Sequence, residues 1–153
     1  IAYIVTSFIP YAVLFFICRS NFDRLPDLAT WMAYVVSLFL AFLVGFYFEA
    51  CIGMVGFWLL EVTSLLYIVN TLNYFISGHM FPLDLLPSGV VQVMKYLPFQ
   101  YMAYFPAAVF LGKIQGTALL EGLFVEVSWA LLLAGLARVL YNMGLRRYSA
   151  YGG

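Results

Sequence analysis

The stretch ISGHMFPLDLLPSGVVQVMKYLPFQYMAYFPAAVFLGK, Ile76–Lys113, holds the only histidine of the chain and four of its six prolines, Pro82, Pro87, Pro98 and Pro106. Proline removes a backbone donor and crowds the preceding turn, so this segment is not one straight helix. Its pieces are short. Ser88–Leu97 is about 15 Å long as a helix, with Ser88 placed as N-cap and Pro98 as stop; Phe99–Leu111 is about 20 Å, with Gly112 placed as C-cap. Neither piece crosses a membrane alone. They form either a re-entrant hairpin that returns to the face it left, or a single kinked span from Ser88 to Leu111.

The rest of the chain explains why crossing is the issue. Of its 153 residues, 65% are hydrophobic and 9% charged, with a mean hydropathy of +1.00, against roughly 25% charged in a soluble domain. This is the composition of an all-α integral membrane protein, because helices satisfy their own backbone hydrogen bonds in lipid. Seven basic and seven acidic residues cancel, which leaves no basic surface for nucleic acid. Ile1 opens inside an apolar run without a starting Met or a cleavage signal, so the chain reads as a fragment lacking its beginning.

A spanning helix needs about 20 apolar residues, and four runs qualify as spans. The first is about 1–18, in which Pro10 is expected to introduce a kink. After the polar loop RSNFDRLPDLAT, the second covers about 31–52. A turn near Gly53–Gly56 separates it from a third at about 57–76, with Trp58 as an interface anchor. The fourth, about 117–143, leads into the basic exit GLRRYSAYGG. Cys18 and Cys51 lie near opposite ends of neighbouring runs, too far apart for a disulfide. Glu49 and Glu61 bracket the turn and read as interfacial.

Catalysis needs converging groups, and few are present. His79 has no H-E-x-x-H pair, and Ser77 stands two residues away, a spacing that does not face it on a helix. AAVFLGKI is not a phosphate loop: Ala107 stands where glycine is required and Ile114 where Ser or Thr would hold magnesium. The sequence gives no catalytic or metal set. On the third run, Thr63, Tyr67, Asn70, Tyr74 and Ser77 fall at offsets 0, 4, 7, 11 and 14, one helical face. That stripe is either the wall of a substrate path or a polar helix contact. Glu126, about a turn deeper in the last helix than Glu121, either lines a polar cavity or pairs with a base such as Lys113. Asp84 reads as a turn residue and His79 as an exposed group able to sense external pH.

The spacing of these motifs resembles the C-terminal part of bacterial ABC-2 type exporter permeases. In the branch it most resembles, an element ends SGG-x-x-P-L-D-x-x-P, a short helix leads to L-P-F-x-Y-x-x-Y-F-P, and the chain closes near G-L-R-R-Y. The matching residues are Ser77, Gly78, Pro82, Leu83, Asp84 and Pro87; Leu97, Pro98, Phe99, Tyr101, Tyr104, Phe105 and Pro106; then Gly112, Gly144, Leu145, Arg146, Arg147 and Tyr148. His79, where a second glycine is usual, and the acidic Glu126 depart from the pattern. The resemblance implies a six-helix permease of the bacterial cytoplasmic membrane with both termini cytoplasmic, of which residues 1–153 hold about four spanning helices. The segment 77–116 becomes an external re-entrant hairpin before the last helix, a lid that includes His79, Pro82, Asp84, Pro87, Pro98, Phe99 and Pro106. It also implies a second permease subunit, identical or not, and a cytoplasmic ATPase that binds the ATP and Mg, with no cofactor on this chain.

Charge does not fix the orientation independently. Arg138, Arg146 and Arg147 lie toward one end, and Arg19, Arg24, Lys95 and Lys113 toward the other, so a bare count does not favour a cytoplasmic C-terminus. A rival reading is an ion- or proton-coupled transporter or channel using Glu126 and His79; a lipid-modifying enzyme is weakened by the missing nucleophile, base or metal set.

Overall fold

The computed structural model describes residues 2–18, 27–59 and 61–149. Arg19, Arg24 and most of the first polar loop lie outside the described residues, as do the side chains of Cys18 and Tyr148. Among the described residues there is no strand, and the helices are α1 (Ala2–Cys18), α2 (Leu28–Met54), α3 (Thr63–Ile76), α4 (Ser88–Met94), α5 (Tyr104–Phe110) and α6 (Gly116–Ser149). Pro10 lies inside α1, which continues past it.

α2 starts where Asp27 caps it, its carboxylate accepting from the Thr30 amide at 3.0 Å. The helix runs through Gly53 and gives way to a tight turn at Val55–Phe57. Gly56 lies in that turn, where a Cβ would stand 2.9 Å from Val62. The third helix was expected from residue 57, but α3 begins at Thr63. Between Phe57 and Thr63 the described residues are Trp58, Leu59, Glu61 and Val62, mostly as apolar as those of a helix, so among them only Glu61 marks the reversal. The last helix is longer than expected. It passes through Gly144 to Ser149, with Arg146 and Arg147 in its final turn, where cations complement the helix dipole.

The stretches Leu28–Phe57 and Gly116–Arg147, 30 and 32 residues, are each long and apolar enough to cross a membrane. α1 and α3, at 17 and 14 residues, are shorter than the roughly 20 of a full span. α2 and α6 run in the same direction. Ser37 meets Glu126, Val44 packs with Ala130 and Leu133, Cys51 approaches the Leu133 carbonyl, and Phe57 lies against Gly144. The two residue numbers rise together along the seam, and α3 carries the chain back between them. Phe39, Phe42, Phe46, Leu131 and Leu132 are exposed on the outer faces, an apolar surface suited to lipid rather than water.

The segment between α3 and α6 packs into this frame as a folded arm. Tyr101, Phe105 and Val109 form a buried cluster with Tyr34, Ile114 and Leu123. Its helices are shorter than the sequence suggested. Ser88 is the first residue of α4 rather than its cap; Pro87 occupies the cap position without a side-chain bond. α4 ends at Met94, three residues before Leu97, so Pro98 follows the stop instead of causing it. The expected Phe99–Leu111 helix is broken at Ala103 (φ −145°, ψ −56°) into a short turn and α5. Pro106 explains the break: it lacks the donor for the Met102 carbonyl, so α5 starts at Tyr104 and keeps the proline in its first turn, where no intrahelical donor is needed. Gly112 closes α5 at φ +69°, as expected of a C-terminal glycine.

Candidate functional site

The base of the arm is tied at both ends. Beyond α3, Gly78 adopts φ +90°, and a Cβ there would meet the Tyr104 Cβ at 2.9 Å, so glycine is required twice over. The turn lets the Tyr104 amide donate to the Ser77 carbonyl at 3.1 Å. It also folds His79 back, so that Nδ1 lies 2.6 Å from the Ser77 hydroxyl while the ring stacks on Tyr74 at 5.1 Å. The helical spacing that separated Ser77 from His79 does not apply, because the helix ends at Ile76. Across the base, Lys113 Nζ reaches Asp84 at 2.5 Å, and the Tyr104 hydroxyl donates to the other Asp84 oxygen. Asp84 is more than a turn residue: it joins the entry of the arm to its exit. The Lys113 hydrogen bond first, and that of Tyr104 second, hold its carboxyl below the usual carboxylate range. Burial, then Asp84, pushes the Tyr104 phenol up to about 12.

From this base the arm descends along α2 and α6. Phe110, near its exit, packs on Trp31 at 5.4 Å, whereas Phe99, near its tip, packs on Phe48 at 5.6 Å. Seventeen residues of α2 separate those two contacts, about 26 Å of helix. The tip is pinned by the Trp129 indole donating to the Tyr96 carbonyl at 2.9 Å and by Tyr101 donating to the Lys95 carbonyl at 2.7 Å. Pro98 and Pro106 are buried here, while Pro82 and Pro87 remain exposed near the base.

On α3, Thr63, Tyr67, Asn70 and Tyr74 share one open face and line a groove of about 500 Å³ whose walls all come from this helix. Tyr67 is 75% exposed. Ser77 does not belong to the face; it is fully buried beyond the helix end. Glu126 lies elsewhere, at 0% exposure in the α2–α6 seam. Ser37 donates to its Oε1 at 3.2 Å, and Oε2 has no partner among the described residues. Lys113, weighed as its counter-ion, is engaged by Asp84 instead.

Ser37 and Trp129 were missed from sequence, and Tyr104 was named only for its place in the family motif. Ser37 is one small polar residue in an apolar helix, and only the parallel seam matches its depth to that of Glu126. No group of three or more His, Cys, Asp or Glu able to hold a metal occurs among the described residues.

The family model for ABC-2 family transporter protein matches residues 3–152. The chain belongs to the ABC-2 transporter family. It is thus a membrane permease component of an ABC transporter. No curated protein matches it. No solved structure matches it. Within this ABC-2 permease the motifs from Ser77 to Pro106 build the arm, and its tied base and descending tip give them their structural meaning.

Proposed function

We propose that this permease subunit exports its substrate across a bacterial cytoplasmic membrane in an ATP-driven cycle, as one half of a permease dimer, with a separate ATPase binding ATP and Mg. Residues 1–153 form one transmembrane domain, with crossings by α1, α2, α3 and α6 and a cytoplasmic C-terminus. The segment 77–116 is an external re-entrant hairpin. The observation that carries this reading is the parallel course of α2 and α6. If Ser88–Leu111 crossed separately, α3 and that span would bring α6 back antiparallel to α2. The Asp84–Lys113 closure supports the same topology.

The α3 face of Thr63, Tyr67, Asn70 and Tyr74 is the path wall, and its groove receives an opposite wall from the second subunit. Glu126 faces the path only when the α2–α6 seam opens, a step that its unpartnered oxygen makes less costly. The test has two arms. Labels at positions 79 and 113 react from the external side, and bulky substitutions at Tyr67, Asn70 and Tyr74 abolish export while the protein stays inserted. Labelling from opposite faces refutes the hairpin; unimpaired export refutes the wall.

A further inference from the structure

A cleft of about 410 Å³ opens between the hairpin and α6, apart from the α3 groove. Its volume lies in the usual range of small-molecule sites, roughly 300–1,000 Å³. Val91, Phe105, Ala118 and Val125 supply apolar wall, and Gln100, only 6% exposed, supplies a polar group. Four charged side chains line it: Asp84, Lys95, Lys113 and Glu121. Asp84 and Lys113 neutralise each other. Lys95 and Glu121, of opposite sign, have no ion-pair partner among the described residues.

We propose that this cleft holds one zwitterionic phospholipid, its phosphate at Lys95, its ammonium at Glu121 and the upper part of an acyl chain along Val91 and Val125. Two observations select this occupant. The lining charges sum to zero with one free site of each sign, the complement of a zwitterion and not of an anionic lipid. The cleft also borders the lipid-facing surface of α6, where Leu120 and Phe124 are exposed, so a chain can leave it into the bilayer without crossing water. The bound lipid fills the space between arm and helix and so fixes how the hairpin rests on α6. The proposal needs the membrane location but not the direction of transport or its energy source.

The test is native mass spectrometry of the intact permease extracted into detergent and offered phosphatidylethanolamine, phosphatidylglycerol or soluble phosphoethanolamine. One retained phosphatidylethanolamine per chain is expected, preferred over phosphatidylglycerol. Glu121→Gln should weaken phosphatidylethanolamine about tenfold and leave phosphatidylglycerol unchanged, since loss of one charge-assisted hydrogen bond is of that order. Lys95→Gln should weaken both lipids. These exposed side chains tolerate neutral isosteres, and circular dichroism confirms folding of each variant. The proposal is overturned if both variants retain lipid like the wild type, if phosphatidylglycerol is preferred, or if phosphoethanolamine alone displaces the lipid at equal concentration.

Discussion

Gly122 offers a sharp test of how the arm is seated. It is buried on α6 against the Phe105 ring, and a Cβ built there would overlap two ring carbons of Phe105. Gly135 lies on the same helix with nothing within 4 Å of the corresponding position. Replacing glycine by alanine within a helix contributes about 1 kcal/mol on aqueous scales, and that gain applies to both sites. Overpacking a filled core costs about 1–3 kcal/mol, and only Gly122 incurs it. Phe105, 3% exposed within the Tyr101–Val109 cluster, has little room to move aside. Gly122→Ala should therefore be less stable than Gly135→Ala by about 1–3 kcal/mol. The assay is reversible denaturation of the intact permease in mixed micelles, with the single variants, Phe105→Leu, and the Gly122→Ala/Phe105→Leu pair. The smaller side chain should recover much of the Gly122→Ala loss, giving a favourable coupling of at least 0.5 kcal/mol, as expected of residues in contact. Equal stability of the two alanine variants, or additive effects in the pair, would refute the packing of arm against helix.

Three further outcomes are expected. The base of the arm has a pH window: a depressed Asp84 contributes stability above the unfolded carboxylate value of about 3.9 that is lost as pH falls through its lower folded value. Conversely, the raised Tyr104 contributes below about 10 and loses that contribution as pH rises through about 12. Both Asp84 and Lys113 are about half exposed, so Asp84→Asn should cost only about 0.2–1 kcal/mol at neutral pH and nothing once Asp84 is protonated, which paired thermal melts carried from pH 7 down past the lowered carboxyl value check. Glu126→Met should melt no lower than wild type, because the methionine removes a buried oxygen without a partner among the described residues, whereas export should fall; a marked loss of thermal stability overturns that account of the seam. Gly144→Val, which drives a side chain into the Phe57 ring, should lower the melting temperature by several degrees and loosen the turn at Val55–Phe57 as read by proteolysis.

Membrane residence, helical class and the kinship of the motif-bearing half were legible because each rests on local chemistry. Apolar run length sets which helices can cross, and Pro82, Pro87, Pro98 and Pro106 forbid a straight helix wherever the chain runs in space. The positive φ of Gly112 likewise follows from its place after an apolar helix. The start of α3 was not legible, since Trp58, Leu59 and Val62, in the reversal before it, are residues that a helix accepts equally well.

The site divides along the same line. The Thr63–Tyr74 face is a periodicity and could be read; the removal of Ser77 from it depends on the positive-φ turn at Gly78. Asp84 with Lys113 is separated by 29 residues, and Ser37 with Glu126 by 89. No local pattern selects such pairs. The sequence by itself determined which segments are apolar, where they must break and which family they resemble. Tertiary packing alone decided that α2 and α6 run parallel, that Lys113 serves Asp84 instead of Glu126, and that one carboxylate oxygen stays buried without a partner among the described residues. Propensity and hydropathy act over a few neighbouring residues, whereas these partnerships arise only when distant helices are brought to one depth.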